Sequence, residues 1–383
     1  YPANANNQVG VTGNIVIQDA QFELGLAASS YIESGATNGT AGVLENTPRL
    51  NYTTGVANPY LLLEPSRTNL ISQSEYFGGW TLISNGTGSD PVLDFGYISP
   101  GGLNNAYKIT LDSGAGTATS DESIIYLNKS GVTAGSEHTA SVYLKGAVGG
   151  EEVIVRDTAG GYKKWTLTTE WARYEYTQTA TATSYATSFG LRQGLGGIGT
   201  INSNAVVYIY GFQSELGSYP TSYIPTYSVS ATRAQDVCNK TNASDSLGQS
   251  EGTLFVEAET LENGADCRIT YSDGTINNRV SIEWDILANT IKGFIGTAGN
   301  LFTTSYNQTN RNKIAIVYNS AGASFFVNGT KVATDPTVSS ISGMNIIEFS
   351  NYGSALPFVG KVNQVLVYKE KLTDAEAITL TTI

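Results

Sequence analysis

The stretch Thr139-Ala140-Ser141-Val142-Tyr143-Leu144, followed after Gly146 by Glu152-Val153-Ile154-Val155, carries the reading of the fold. Both runs are too short for a buried helix and rich in β-favouring side chains, and Gly residues separate them. The same grammar recurs along the chain. Val206-Val207-Tyr208-Ile209-Tyr210, Thr253-Leu254-Phe255-Val256-Glu257, Ile314-Ala315-Ile316-Val317-Tyr318, Ser324-Phe325-Phe326-Val327 and Val362-Asn363-Gln364-Val365-Leu366-Val367-Tyr368 all repeat it. Several alternate residue by residue, as strands do when one face packs and the other meets water. Many short strands with Gly-rich turns predict an all-β protein of tandem antiparallel sandwiches. Only the C-terminus reads as helix. Thr373 and Glu376 have capping-box spacing, Asp374 suits the positive helix end, and Leu372 is placed as a staple.

Composition narrows the function. Of 383 residues only 14% are Asp, Glu, Lys or Arg, against about 25% in ordinary soluble domains. There are 42 Gly and 23 Tyr, and 33 acidic against 21 basic residues give a net charge of -12. That balance repels phosphate backbones and anionic lipid, so neither nucleic acid nor a membrane surface is an expected partner. No apolar run reaches membrane-spanning length. One histidine, His138, cannot build a multi-His zinc site or a convincing Ser-His-Asp triad. Cys238 and Cys267 lack C-x-x-C spacing and read as free thiols, with a bridge open if the linker before Glu251 folds back. The chain reads as no enzyme. Glu283 and Asp285 have the i,i+2 spacing of two carboxylates on one strand face, but a glycosidase needs a pair across a cleft. The chain after Asp285 continues Ile286-Leu287-Ala288, without a third acid.

An internal repeat organises the chain. Gln21-Phe22-Glu23-Leu24-Gly25 precedes Ser30-Tyr31-Ile32, and Gln213-Ser214-Glu215-Leu216-Gly217 precedes Ser222-Tyr223-Ile224-Pro225-Thr226. Residues 1–50 are therefore expected to be the C-terminal end of a preceding jelly-roll module and its linker, in a polypeptide that continues N-terminally. Residues 51–236 are expected to form a complete jelly roll, 237–250 a linker, and 251–383 a second sandwich. Arg67 is expected at the inter-domain seam, with Glu64 as one candidate partner.

The run Leu61-Leu62-Leu63-Glu64-Pro65-Ser66-Arg67-Thr68-Asn69-Leu70, its continuation Gln73-Ser74-Glu75-Tyr76-Phe77-Gly78-Gly79-Trp80, and the Gln213–Thr226 segment resemble bacteriophage tail-fibre and head-fibre proteins. There they bound a jelly roll similar to carbohydrate-binding modules. Residues 251–383 resemble the laminin-G-like, concanavalin-A-like sandwiches of the same viral proteins. The motifs are Glu251-Gly252-Thr253-Leu254-Phe255, Ser324-Phe325-Phe326-Val327-Asn328-Gly329 and Lys371-Leu372-Thr373-Asp374-Ala375-Glu376. The resemblance implies a non-enzymatic fibre or appendage protein of the virion surface that binds host or environmental glycans, with other virion subunits and bacterial surface polysaccharide as partners, and a homo-oligomer such as a trimer. A purely structural or decoration protein of the virion is the first alternative. An accessory glycan-binding region of a secreted bacterial polysaccharide-active enzyme is the second.

Sugar binding on a sandwich needs aromatic platforms and planar polar groups. In the middle domain the densest such patch is Tyr162, Trp165, Trp171 and Arg173; the ordinary alternative is that these rings fill the core. In the last domain the candidates are Arg279, Trp284, Asn307, Arg311 and Tyr352. Asp266 and Asp273 flank a strand and are candidate ligands of a structural calcium ion, the one cofactor considered, against the plainer reading of solvated loop acids.

Overall fold

The computed structural model describes residues 50–51, 59–158, 161–296, 302–337, 341–351 and 355–383, together with Gln21 and Leu26. The first copy of the repeat lies outside the described residues apart from Gln21. The chain folds into two antiparallel β-sandwiches, as its alternation predicts.

In the jelly roll, one sheet runs Lys163–Thr166, Glu152–Arg156, Ser184–Arg192, Glu122–Ser130, Thr81–Asn85 from edge to edge. The facing sheet runs Ala172–Thr179, Glu137–Gly146, Asn204–Leu216, Ala106–Asp112, Ser89–Tyr97. Ile109, Leu111, Val142, Leu144, Val207 and Ile209 from the second sheet meet Ile125, Val153, Val155, Phe189 and Leu191 in a common core. The parity of Asn204–Leu216 decides what faces outward: Ala205, Val207 and Ile209 are buried, while Val206, Tyr208 and Tyr210 stay half-exposed.

The last sandwich pairs a seven-stranded sheet with a six-stranded one. The larger runs Leu50–Asn51, Tyr60–Leu63, Gly360–Tyr368, Gly252–Thr260, Asn312–Asn319, Gly322–Val327, Thr330–Asp335. The smaller runs Asn239–Lys240, Ile346–Glu348, Cys267–Ser272, Arg279–Trp284, Thr290–Ile295, Phe302–Ser305. The helix Asp374–Thr381 carries the expected capping box and buries Ala377 against Phe255, Ala315, Val317 and Phe326.

Two stretches lie elsewhere than expected. The Leu run of Tyr60–Leu63 does not belong to the jelly roll: Leu61 pairs with Val362 and Leu63 with Gly360, inside the last sandwich. Residues 237–250 are more than a linker. Asn239–Lys240 pairs with Ile347 and Glu348, and Ala243 and Leu247 sit in the last sandwich's core. The jelly roll is thus inserted into the second sandwich, and the chain enters and leaves it through one neck. There Arg67–Asn69 pairs with Ala231–Arg233, and the Thr68 and Thr232 hydroxyls meet at 2.8 Å. Glu64 accepts from Arg233 at 2.5 Å, the Glu64 amide donates to the Asp236 carboxylate at 2.7 Å, and the Asp236 amide donates back to the Glu64 carbonyl. Arg67 lies over the Tyr219 ring, 5.5 Å from its centroid. The fold-back also brings residue 238 to the sheet of Cys267, yet both cysteines are free thiols.

Candidate functional site

The outward face of the second jelly-roll sheet is built by cross-strand register. One row runs Asp94, Lys108, Tyr208, Lys145 over four strands, and a second runs Tyr210, Tyr143, Arg173 over three. Because side chains alternate, both rows stand on the solvent side of strands whose other face fills the core. The Tyr97 and Tyr208 rings lie 5.2 Å apart, and Tyr143 and Tyr210 lie 6.2 Å apart. Three of the four rings bear a cation. Lys108 sits 5.3 Å from the Tyr97 centroid, Lys145 5.2 Å from that of Tyr208, and Arg173 5.6 Å from that of Tyr143. At one end, Asp94 accepts from the Tyr97 hydroxyl at 2.6 Å and pairs with Lys108 at 3.5 Å. The tyrosine hydrogen bond, more than the lysine, holds the Asp94 carboxyl below its ordinary range.

At the other end the face is rooted in Glu75, whose carboxylate accepts from Tyr210, Tyr223 and Tyr227 at 3.0, 3.2 and 3.1 Å. Burial, reinforced by Glu75, raises the phenol pKa of Tyr210 and Tyr223, so both remain neutral donors. A bulge between Tyr210 and Gln213 ends the regular alternation. Gly211 makes it, at φ +63°, and a Cβ there would approach the Tyr223 ring to 3.1 Å. Beyond the bulge, Gln213 accepts from the Ile224 amide at 2.7 Å, and Glu215 accepts from the amide and hydroxyl of Thr221 at 2.6 and 2.7 Å. Asn69 joins this closure, donating to the carbonyls of Phe212 and Ile224 and accepting from the amides of Ile71 and Ser214. Ser74 and Thr226 exchange bonds in the same place. The repeated motif at 213–226 and the Asn69–Glu75 part of the 61–80 phrase are therefore two halves of one latch.

The sequence-chosen residues are dispersed. Arg173 lies on the tyrosine face and donates to the Ser141 hydroxyl at 2.8 Å; half-buried Trp171 precedes its strand by one residue. Trp165 belongs to the opposite sheet and is buried against Tyr174, with centroids 5.5 Å apart, so it offers no platform. Tyr162 is held between Arg156 and Arg192, whose guanidiniums donate to its hydroxyl at 3.2 and 2.8 Å. In the last sandwich Trp284 has no exposed surface and packs edge-on to Phe358 at 4.8 Å, because its strand position faces inward. Arg279 is buried beside Phe294 and 3.9 Å from Glu283. Arg311 is half-exposed and pairs with Glu257 at 3.3 Å, while Asn307 closes a turn by accepting from the Thr309 amide. Tyr352 lies outside the described residues.

The acids are equally committed. Glu283 meets Arg268 at 3.2 Å, and Asp285 pairs with Lys292. Burial raises the Glu283 carboxyl pKa against the pull of its arginines. Asp266 and Asp273 sit at opposite ends of the strand Cys267–Ser272, about 20 Å apart at strand rise, so one ion cannot bridge them. Asp273 instead accepts from Thr275 and Asn278. Among the described residues no group of three or more His, Cys, Asp or Glu converges on a point, and no helix is long and apolar enough to cross a membrane.

The residues missed by the sequence reading are Tyr208, Tyr210, Lys145, Tyr97 and Lys108. For Tyr208 and Tyr210 the signal was present in Val206-Val207-Tyr208-Ile209-Tyr210, where tyrosine alternates with aliphatic residues; Tyr97, Lys108 and Lys145 join them only through cross-strand register.

No protein-family model and no curated protein matches this chain. Solved structures do resemble parts of it. The carbohydrate-binding module CBM40 of the Ruminococcus gnavus IT-sialidase, bound to α2,3-sialyllactose, is similar at 19% identity with a TM-score of 0.30. That match covers 35% of this chain and 84% of the module. Domain 4 of AbnA, a GH43 extracellular arabinanase from Geobacillus stearothermophilus, in complex with arabinotriose, is similar at 12% identity and a TM-score of 0.31, covering 36% of this chain and 68% of that one. A heptameric SAP-like pentraxin from Limulus polyphemus is similar at 11% identity and a TM-score of 0.30, covering 36% and 72%.

Proposed function

We propose that this protein is a non-catalytic glycan-binding protein whose ligand lies along the tyrosine face of the jelly roll. The observation that carries the reading is the pair of cross-strand rows in which tyrosine rings stand outward with cations and hydroxyls between them. Sugar rings present apolar C–H faces edged with hydroxyls. Tyrosine stacks on the first and hydrogen-bonds the second, with few rotors to immobilise. Two of the similar structures are described with bound sialyllactose and arabinotriose. The reading for this chain rests on its own face and not on that likeness.

The setting that goes with this reading is the accessory, targeting region of a secreted bacterial polysaccharide-active enzyme. A phage fibre is the second reading, favoured by the resemblance of 61–80 and 213–226 to fibre proteins. Those motifs have a folding role here, since Asn69, Ser74, Gln213 and Glu215 close the jelly roll. They are thus explained without a virion.

The test is binding of the purified chain to a glycan array and to insoluble polysaccharides. Saturable binding is expected, weakened about ten-fold or more by Tyr208→Ala and by Tyr143→Ala, as loss of a stacking ring costs on the order of 1–2 kcal/mol. Binding that ignores both substitutions, or no binding by the folded chain, overturns the proposal.

A further inference from the structure

The tyrosine face is not electrically neutral in its detail. The chain as a whole carries -12, with 33 acidic against 21 basic residues, so an acidic partner is the expectation for a basic side chain. Lys108 follows that expectation with Asp94. Lys145 and Arg173 do not. Lys145 rests on the Tyr208 ring and Arg173 on the Tyr143 ring, and neither has a carboxylate within 4 Å among the described residues. Glu175, two residues along the strand from Arg173 and opposite Ser141, forms an ion pair with neither. The Arg173 guanidinium makes one hydrogen bond, to Ser141, and its buried Nε has no acceptor. A partly desolvated guanidinium with an unmade hydrogen bond gains more from an incoming anion than a fully hydrated one does.

Resting on the glycan reading of this same face, we infer that it selects sugars bearing a carboxylate. The carboxylate lies between Lys145 and Arg173, and the sugar ring stacks on Tyr208 and Tyr143. The two cations stand on the same side of adjacent strands: Arg173 pairs with Tyr143, and Lys145 follows Tyr143 by two residues. Charge-assisted hydrogen bonds to a carboxylate are about twice as strong as those to hydroxyls. The remaining negative charge of the molecule opposes a dense polyanion, so the ligand is a glycan with isolated carboxylates among hydroxyls.

The decisive probe keeps the sugar and removes only the charge. Glucuronate-, galacturonate- and sialate-bearing oligosaccharides are each titrated beside their own carboxyl methyl esters, with neutral oligosaccharides as a third arm. The free acid of at least one is expected to bind about ten-fold or more tighter than its ester. Lys145→Gln and Arg173→Gln are each expected to bring that acid-to-ester ratio down toward one, a readout that loss of stacking alone would not move. Circular dichroism and thermal melting confirm that both variants are folded. Neutral sugars or esters binding as well as every acid overturns the inference and leaves the glycan reading standing. No binding in any arm overturns both. An acid preference that survives both substitutions places the carboxylate elsewhere and also overturns the inference.

Discussion

His138 shows how one residue is fixed by its surroundings. It is wholly buried, and its Nε2 accepts from the Thr133 amide at 3.1 Å. Near it Lys129 and Asp157 form an ion pair with no exposed surface, and Asp157 also accepts from Thr187 and Ser214 at 2.8 Å. Burial first, and the Lys129 charge second, lower the imidazole pKa from 6.5, with Asp157 opposing. The unfolded chain therefore takes up the proton before the folded one. Stability from this group is complete above about pH 6.5 and is lost as pH falls from there toward the depressed folded value. Urea midpoints measured from pH 7.5 to 5 are expected to decline in the native protein and to decline less with His138→Gln, whose amide oxygen can still accept from Thr133. Equal slopes would remove His138 from the account. In the sequence it is an isolated histidine in a Ser-Glu-His-Thr run, because the lysine that perturbs it belongs to another strand.

At the scale of elements, alternation was readable and orientation was not. Strand positions follow from β-rich runs and Gly breaks, as does the capped C-terminal helix. Aromatic density, by contrast, is equally high in a core and on a binding face. Trp165 and Trp284 lie in such dense stretches and face inward, while Tyr208 and Tyr210 face outward. Parity within one strand marks two faces, but the facing sheet decides which is covered, and that sheet is supplied by remote sequence. The Gln-Ser-Glu-Leu-Gly repeat was visible as a pattern, and its work as a latch needed the loop at 221–226. Glu215→Ala leaves the buried Thr221 amide and hydroxyl without their acceptor, a loss of about 1–3 kcal/mol. Amide exchange across 221–226 is expected to quicken more than exchange in Glu137–Gly146. Unchanged protection of that loop would show that the latch is held without Glu215, by Gln213, Asn69 and the Ser74–Thr226 exchange.

For the whole molecule the decisive fact is the insertion of one sandwich into the other. The chain order suggests beads on a string, since nothing local reveals that Leu61 pairs with Val362, some three hundred positions later. Because entry and exit strands pair with each other, residues 66–234 have adjacent ends and a core of their own. That segment alone is expected to fold into a cooperative unit with its tyrosine face intact. A single urea transition and retained glycan binding by the isolated segment would bear this out; a molten segment would show that the neck contributes to folding.

The neck also settles how tension travels. In a simple tandem arrangement, a pull between a captured ligand and the distal sandwich would load a single covalent strand. Here the backbone crosses twice, through Arg67–Asn69 and Ala231–Arg233, clasped by Glu64, Arg233 and Asp236. Drag on anything held at Tyr208 and Tyr143 reaches the distal sandwich through two paired tethers rather than one.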